Sequence, residues 1–391
     1  MIRRVSGWAA AILLWLVIIV SLAIAVVPQF LDAVYYRGAV SGHFDGQRFF
    51  NPDGDPLVTP RTDGRARARF ITRFLTARSV GPAWPDHVAV RPIDPPRRVA
   101  GTRMAVTWVG HSTVLVQTQG VNILTDPTWA AHSGPLGIGP KRVADPGIAF
   151  DRLPRIDVVL VSHDHYDHLD LDTLKRLWAR DRPMVVTSLG NDRVIGEAGV
   201  PAIARDWGGR VAVRPGIDVV VTRAHHWGSR WFSDRNRALW SGFVVTLPGG
   251  NLFFAGDTGA GDLRWADAAA AYGPIRLALI PIGAFRFEPG QMEAGAHIGP
   301  VDAVEVFRRL RAARGIGVHW GTYRLSYEQY RTPPRLLAAA MRCTRESGVF
   351  DTVAMGQPQQ VAPYAPPVAV PVMPRRALLD CLAASGASAF R

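Results

Sequence analysis

Two cysteines among 391 residues, Cys343 and Cys381, are too few for a disulfide framework, and they stand too far apart for a CxxC pair. Neither a disulfide framework nor a thiolate metal site is therefore indicated. No repeat of fixed short period runs through the chain, and no nucleic-acid-binding module is evident. Charge is missing altogether from Trp8 to Val27, "WAAAILLWLVIIVSLAIAVV". Acidic residues are the minority, 32 against 45 basic ones, and the excess of +13 is carried almost wholly by arginine. Such an excess fits either a compositional habit or attraction to an anionic surface, lipid or nucleic acid, and charge alone does not choose.

What is present is ordinary globular material, 48% apolar and 20% charged. The uncharged run matches a bilayer span in length. With Arg3 and Arg4 before it, the positive-inside rule predicts a single-pass segment over residues 1–27, an uncleaved anchor in preference to a cleaved signal. The expected location is the bacterial inner membrane with the remainder exported to the periplasm, although the basic stretch Arg61 to Phe70 argues the other way. Residues 28–99 show no periodicity and read as an irregular segment wrapping the main domain. Residues 100–350 alternate strand and helix patterns, and 351–391 form a proline-rich tail, expected to be extended.

Within 100–350 the β-branched runs "AVTWVG", "STVLVQTQGVNILTDP", "IDVVLVS", "RPMVVTS", "IDVVVTRA", "SGFVVTL", "NLFFAGD", "RLALIPI" and "GIGVHW" predict strands. Helices are predicted between them, one with Asp170 as N-cap, one with Pro300 in its first turn, and one over "PPRLLAAAMRCTRES". This order predicts an α/β fold of two face-to-face sheets with helices outside.

The chemistry is concentrated in "VSHDHYDHLD", Val161 to Asp170, in a chain with only 11 histidines. His163 and His165 stand at i and i+2, so in an extended chain they project the same way and can grip one ion. Asp167 and His168, past the bend, can face another. Imidazole and carboxylate suit a borderline metal such as zinc. Further ligands are expected at the ends of other apolar strands: His225 or His226 in "TRAHHW", Asp257 in "FFAGDTG" and His319 in "GVHWGT". His111 reads equally as a buried hydrogen-bonded histidine or a site residue. Asp126 reads as an orienter of a metal ligand or as an Asp-Pro turn, and Tyr166, Trp108, Trp227, Trp231 and Trp240 as packing.

The HxHxDH signature with a later His, a GDT aspartate and a final His resembles the metallo-β-lactamase superfamily. Through "VTWVGHSTVLVQTQGVNILTDP", "GPKR", "HHW", "IPIGAF", "HIGPVDAV" and "HFDGQRFFNP" the chain is similar to the N-acylphosphatidylethanolamine-hydrolysing phospholipase D group, over roughly His43 to Tyr330. The resemblance implies a four-layer αβ/βα sandwich and two zinc ions per chain. His163, His165 and His226 would hold one, Asp167, His168 and His319 the other, and Asp257 would bridge them. It implies catalytic roles for Asp167, Asp257 and a phosphate-facing His297. "HHW" departs from the "QHW" of the mammalian type, and "HIGP" from the more usual residue pair at that place. The expected activity is zinc-dependent phosphodiester hydrolysis of N-acylphosphatidylethanolamine-like lipids, with other substrates of the same metal cage (lactone, ester, amide or soluble phosphodiester) as the rival. Expected partners are a phospholipid substrate and the membrane, with no nucleic acid; a homodimer stays open.

Overall fold

The structure is a computed structural model that describes residues 2–31, 33–54, 83–231, 233–287, 294–368 and 370–386. The basic stretch Arg61 to Phe70 lies outside the described residues.

The first sheet is built from β1 (Met104–Gly110), β2 (Thr113–Thr118), β3 (Val121–Thr125), β4 (Val158–Val161), β5 (Met184–Ser188) and β6 (Ile203–Arg205). The second contains β7 (Arg210–Arg214), β8 (Ile217–Thr222), β9 (Gly242–Thr246), β10 (Asn251–Phe254), β11 (Ile275–Pro281), β12 (Arg314–Val318) and β13 (Phe350–Asp351). A late strand, β14 (Gln359–Val361), returns to the first sheet. The orders are β14-β1-β2-β3-β4-β5-β6 and β13-β12-β11-β10-β9-β8-β7. Each sheet is antiparallel over one half and parallel over the other, the parallel halves being β3 to β6 and β10 to β13.

Side-chain alternation sets the layers. Val219 and Val221 of β8 face inward, where they meet Val106, Val116, Ile123, Leu160 and Val186 of the first sheet, together with Phe254, Leu277 and Leu279. Val220 points the opposite way, into a cluster with Phe253, Ala278 and Ile280. That outer face is covered by helices α4 (Arg264–Ala270), α5 (Pro300–Arg309), α6 (Thr332–Cys343) and α7 (Arg375–Ala384). The outer face of the first sheet takes α2 (Leu171–Asp181) and α3 (Asn191–Gly196) through Leu174, Leu177, Val194 and Ile195. Strands buried on both faces favour apolar residues at nearly every position, which is why β1 and β11 read as nearly continuous apolar runs, interrupted by Thr107 and by Arg276. Asp170 caps α2 as expected, accepting from the Thr173 amide, and Pro300 opens α5.

Three features differ from the sequence expectations or add to them. First, Cys343 and Cys381 are joined in a disulfide, with Cα atoms 6.1 Å apart. Their sequence separation of 38 carries no spacing signal; what brings them together is the packing of α7 on α6. Second, the tail is not simply extended. β14 pairs antiparallel with β1, and the buried Arg276 guanidinium donates to the carbonyls of Thr102, Val361 and Ala362, which ties that strand to the second sheet. Third, the uncharged N-terminal run lies in a helix, α1 (Ile2–Leu31), but among the described residues no helix is long and apolar enough to cross a membrane. Its described side chains, Trp8 and those from 10 to 23, are mostly exposed.

The described residues of 28–99 pair with the sandwich without forming a named strand. Val88 and Ile93 donate to Val143 and Gly356, and Asn122 reaches the carbonyl of Arg97.

Candidate metal centre

The loops that follow β1, β3, β4, β8, β10 and β12 converge at one end of the sandwich. His163, His165, Asp167 and His168 come from the loop after β4, His226 after β8, Asp257 after β10 and His319 after β12. Three of the residues involved, His111, Asp126 and His319, hold positive φ angles of 52°, 31° and 61°. Non-glycine residues rarely adopt this conformation, and it recurs where function dictates geometry.

His163, His165 and His226 form one group. His163 Nε2 lies 2.8 Å from His165 Nδ1, and His226 Nε2 3.4 Å from the same atom. Two of the three outward nitrogens are engaged: His226 Nδ1 donates to the Ala296 carbonyl at 2.8 Å, and His163 Nδ1 meets Ser162 Oγ at 2.9 Å. An imidazole fixed on one nitrogen presents the other as a ligand.

A second group combines Asp167, His168 and His319 with His111. His111 Nε2 is 2.9 Å from Asp167 Oδ2, so this histidine, open in the sequence, belongs to the site. Asp257 Oδ2 sits among both groups, 3.0 Å from His319 Nε2, 3.2 Å from His168 Nε2 and 3.9 Å from His226 Nε2. His297 Nδ1 approaches the same oxygen at 3.6 Å.

Asp126 acts as an orienter. One oxygen accepts from His168 Nδ1 at 2.6 Å and from Ser162 Oγ at 2.6 Å, and the other takes the Ser162 amide. It thereby steers one histidine of each group. His225 turns away, its Nδ1 3.1 Å from each carboxylate oxygen of Asp53. Trp227 lies against the His165 ring at 4.2 Å, Tyr166 is covered by Arg230, and Trp108 and Trp240 are buried in the core. The sequence reading passed over Ser162, Asn51 and Asp53. "HFDGQRFFNP" contained Asn51, but nothing in its spacing revealed that it reaches the site.

The two groups differ electrically. Burial pushes His165 down to about 3, and burial together with neighbouring imidazoles lowers His163 and His226. Burial opposes charge on Asp167 and Asp257 too, yet His168 and its fellow histidines hold both carboxyls well below the usual range. In return, and against burial, Asp257 and Asp167 raise His168 and lift His319 to about 9. Burial takes His111 down to about 3.

The donor set fits bound metal. His168 Nε2, His319 Nε2 and both oxygens of Asp257 are buried without a hydrogen-bond partner, a condition that costs on the order of 1–3 kcal/mol per group when nothing binds there. Imidazole nitrogens converging on carboxylate oxygens are the ligands a borderline divalent ion takes.

Comparison with known proteins agrees with this geometry. A family model described as "Beta-lactamase superfamily domain" matches residues 121–320. "N-acyl-phosphatidylethanolamine-hydrolyzing phospholipase D 1" of Caenorhabditis elegans is 37% identical over 265 residues, covering 64% of this chain and 74% of that protein. A "UPF0173 metal-dependent hydrolase" of Pyrobaculum neutrophilum is 30% identical over 226 residues, 57% of this chain and 86% of that one. Among solved structures, isothiocyanate hydrolase from Delia radicum gut bacteria superimposes with a TM-score of 0.52 at 16% identity, covering 66% of this chain and 98% of the other, a likeness of fold.

Proposed function

The chain belongs to the beta-lactamase superfamily and is a metal-dependent hydrolase of that fold; from that premise we propose that it is a di-zinc phosphodiesterase of phospholipase D type. Its substrate is an N-acylphosphatidylethanolamine-like lipid. Water adds its hydroxyl to phosphorus and its proton to the departing oxygen, giving phosphatidic acid and an N-acylethanolamine. The similarity to the nematode phospholipase carries the substrate reading, and the excess of +13 charges supports an anionic headgroup.

His163, His165 and His226 would hold one zinc and Asp167, His168 and His319 the other, with Asp257 shared. Bound there, the ions would supply Lewis acidity and would activate a water near neutral pH. The chain's own groups do the rest. Asp126 fixes the rings of His163, through Ser162, and of His168. His111 holds Asp167 in place. His297, whose Nδ1 is buried and unpartnered, would bond a phosphoryl oxygen.

The test is hydrolysis by zinc-loaded protein of an N-acylphosphatidylethanolamine, an aryl phosphodiester and a lactone, beside Asp257→Asn. Lipid turnover that collapses in the variant is expected. Zinc-bound protein that cleaves only the lactone would move the substrate to the rival class.

A further inference from the structure

We infer that Asn51 and Asp53 are positioning residues of the metal centre, holding the loop that carries His226 against the loop that follows Asp257. The inference rests on the metal-site reading but is independent of the substrate.

The segment around them is seated firmly. Phe44 and Phe49 are buried with Ala224, Leu239 and Trp240 in an apolar cluster of their own. His43 bonds Asp206 at 2.7 Å and stacks on Trp207, and the Phe49 amide donates to the Asn236 carbonyl. From this seat Asn51, only 3% exposed, extends its amide group toward the site. Nδ2 donates to the His226 carbonyl at 2.8 Å, and Oδ1 accepts from the Trp240 indole at 3.1 Å. His226 is thus fixed twice, at its ring by the Ala296 carbonyl and at its backbone by Asn51.

Asp53 joins two loops. Its carboxylate meets His225 Nδ1, pairs with Arg223 and accepts from the Asp262 amide at 2.7 Å. His225 in turn donates its amide to Thr258 Oγ1 at 3.0 Å and accepts from the Gly259 amide at 2.6 Å. The stretch "GDTGAGD" therefore lies directly on the Asp53–His225 pair. Gly261 shows how close the approach is: its φ is +51°, and a Cβ there would run into the Asp53 carboxylate and the His225 ring. One carboxylate, about 170 residues upstream of His225, thus spans the His226 and Asp257 loops. Asn51 is one bond removed from His226 and Asp53 acts through the neighbouring His225; partners behind a ligand typically set metal affinity by about 10–100-fold.

The experiment uses the full chain with Asn51→Asp, Asp53→Asn and, as a control for packing alone, Phe44→Leu. Zinc affinity is read by chelator competition, ligand geometry by the visible spectrum of the cobalt-substituted protein, and stability by the melting temperature of the metal-free protein. Asn51→Asp keeps the acceptor for Trp240 and removes the donor to His226. The expected result is metal-free melting close to wild type, zinc binding about 10–100-fold weaker at one of the sites, and an altered cobalt spectrum in Asn51→Asp and Asp53→Asn but not in Phe44→Leu. Wild-type affinity and spectrum in both variants would overturn the inference and leave the metal-site reading intact. So would losses that merely follow melting temperature, as in the packing control. A wild-type protein that takes up no zinc would remove the metal-site reading and this inference with it.

Discussion

The two sheets supply the metal centre in different ways. The first sheet gives His163, His165, Asp167 and His168 from the single loop after β4, so four donors share one backbone excursion. The second gives His226, Asp257 and His319 from three loops, each dependent on the others for its place. Donors on one contiguous loop share a backbone path, with Asp126 and His111 orienting their side chains, whereas dispersed donors also need bracing between their loops. The bracing is visible: Ala296 and Asn51 on His226, Asp53 across the His225 and Asp262 loops, and the backbone bond from the His319 amide to the His111 carbonyl. The second sheet's share of the site is therefore the more sensitive to changes far away in sequence.

Asp257 is where the comparison breaks most sharply, because its Oδ2 stands among histidines of both groups. Asp257→Ala should lower turnover of a phosphodiester on the order of 10³-fold and reduce metal content, measured by steady-state kinetics with elemental analysis. Next is Asp126→Asn, which touches the rings of the first sheet's own donors. Weaker acceptance from His168 Nδ1 and Ser162 should reduce zinc affinity by about 10–100-fold, read by chelator titration, with the melting temperature of the metal-free protein recorded in parallel. A smaller effect on the site is expected at the far side of the second sheet. Replacing Cys343 and Cys381 together with serine should cost about 2–4 kcal/mol of stability and lower the melting temperature, yet leave metal content at the wild-type value. A fall in metal content there would show that the helix layer, and not the loops, holds the second sheet's donors.

The same contrast explains what was legible in the sequence. The loop after β4 could be read because its donors are neighbours in the chain and follow an apolar strand. The central strands were legible because burial on both faces favours nearly unbroken apolar runs. His111 and Asp126 were ambiguous, since a lone histidine or an Asp-Pro pair has the same local appearance in either role; only the backbone turns that aim them at Asp167 and His168 decide it. β6 and β7 escaped notice because both are short and partly exposed, and β14 because a Gln-Gln-Val strand has little apolar content. The disulfide and the Asn51–His226 contact were invisible for one reason. Both join residues whose proximity is created by packing, not by spacing.

The central claim is that both sheets contribute to one two-metal centre, and metal stoichiometry tests it most directly. Elemental analysis of zinc-reconstituted protein should give about two equivalents for wild type, and about one each for His163→Ala and His319→Ala. Full occupancy in either variant, or fewer than two equivalents in wild type, would contradict it.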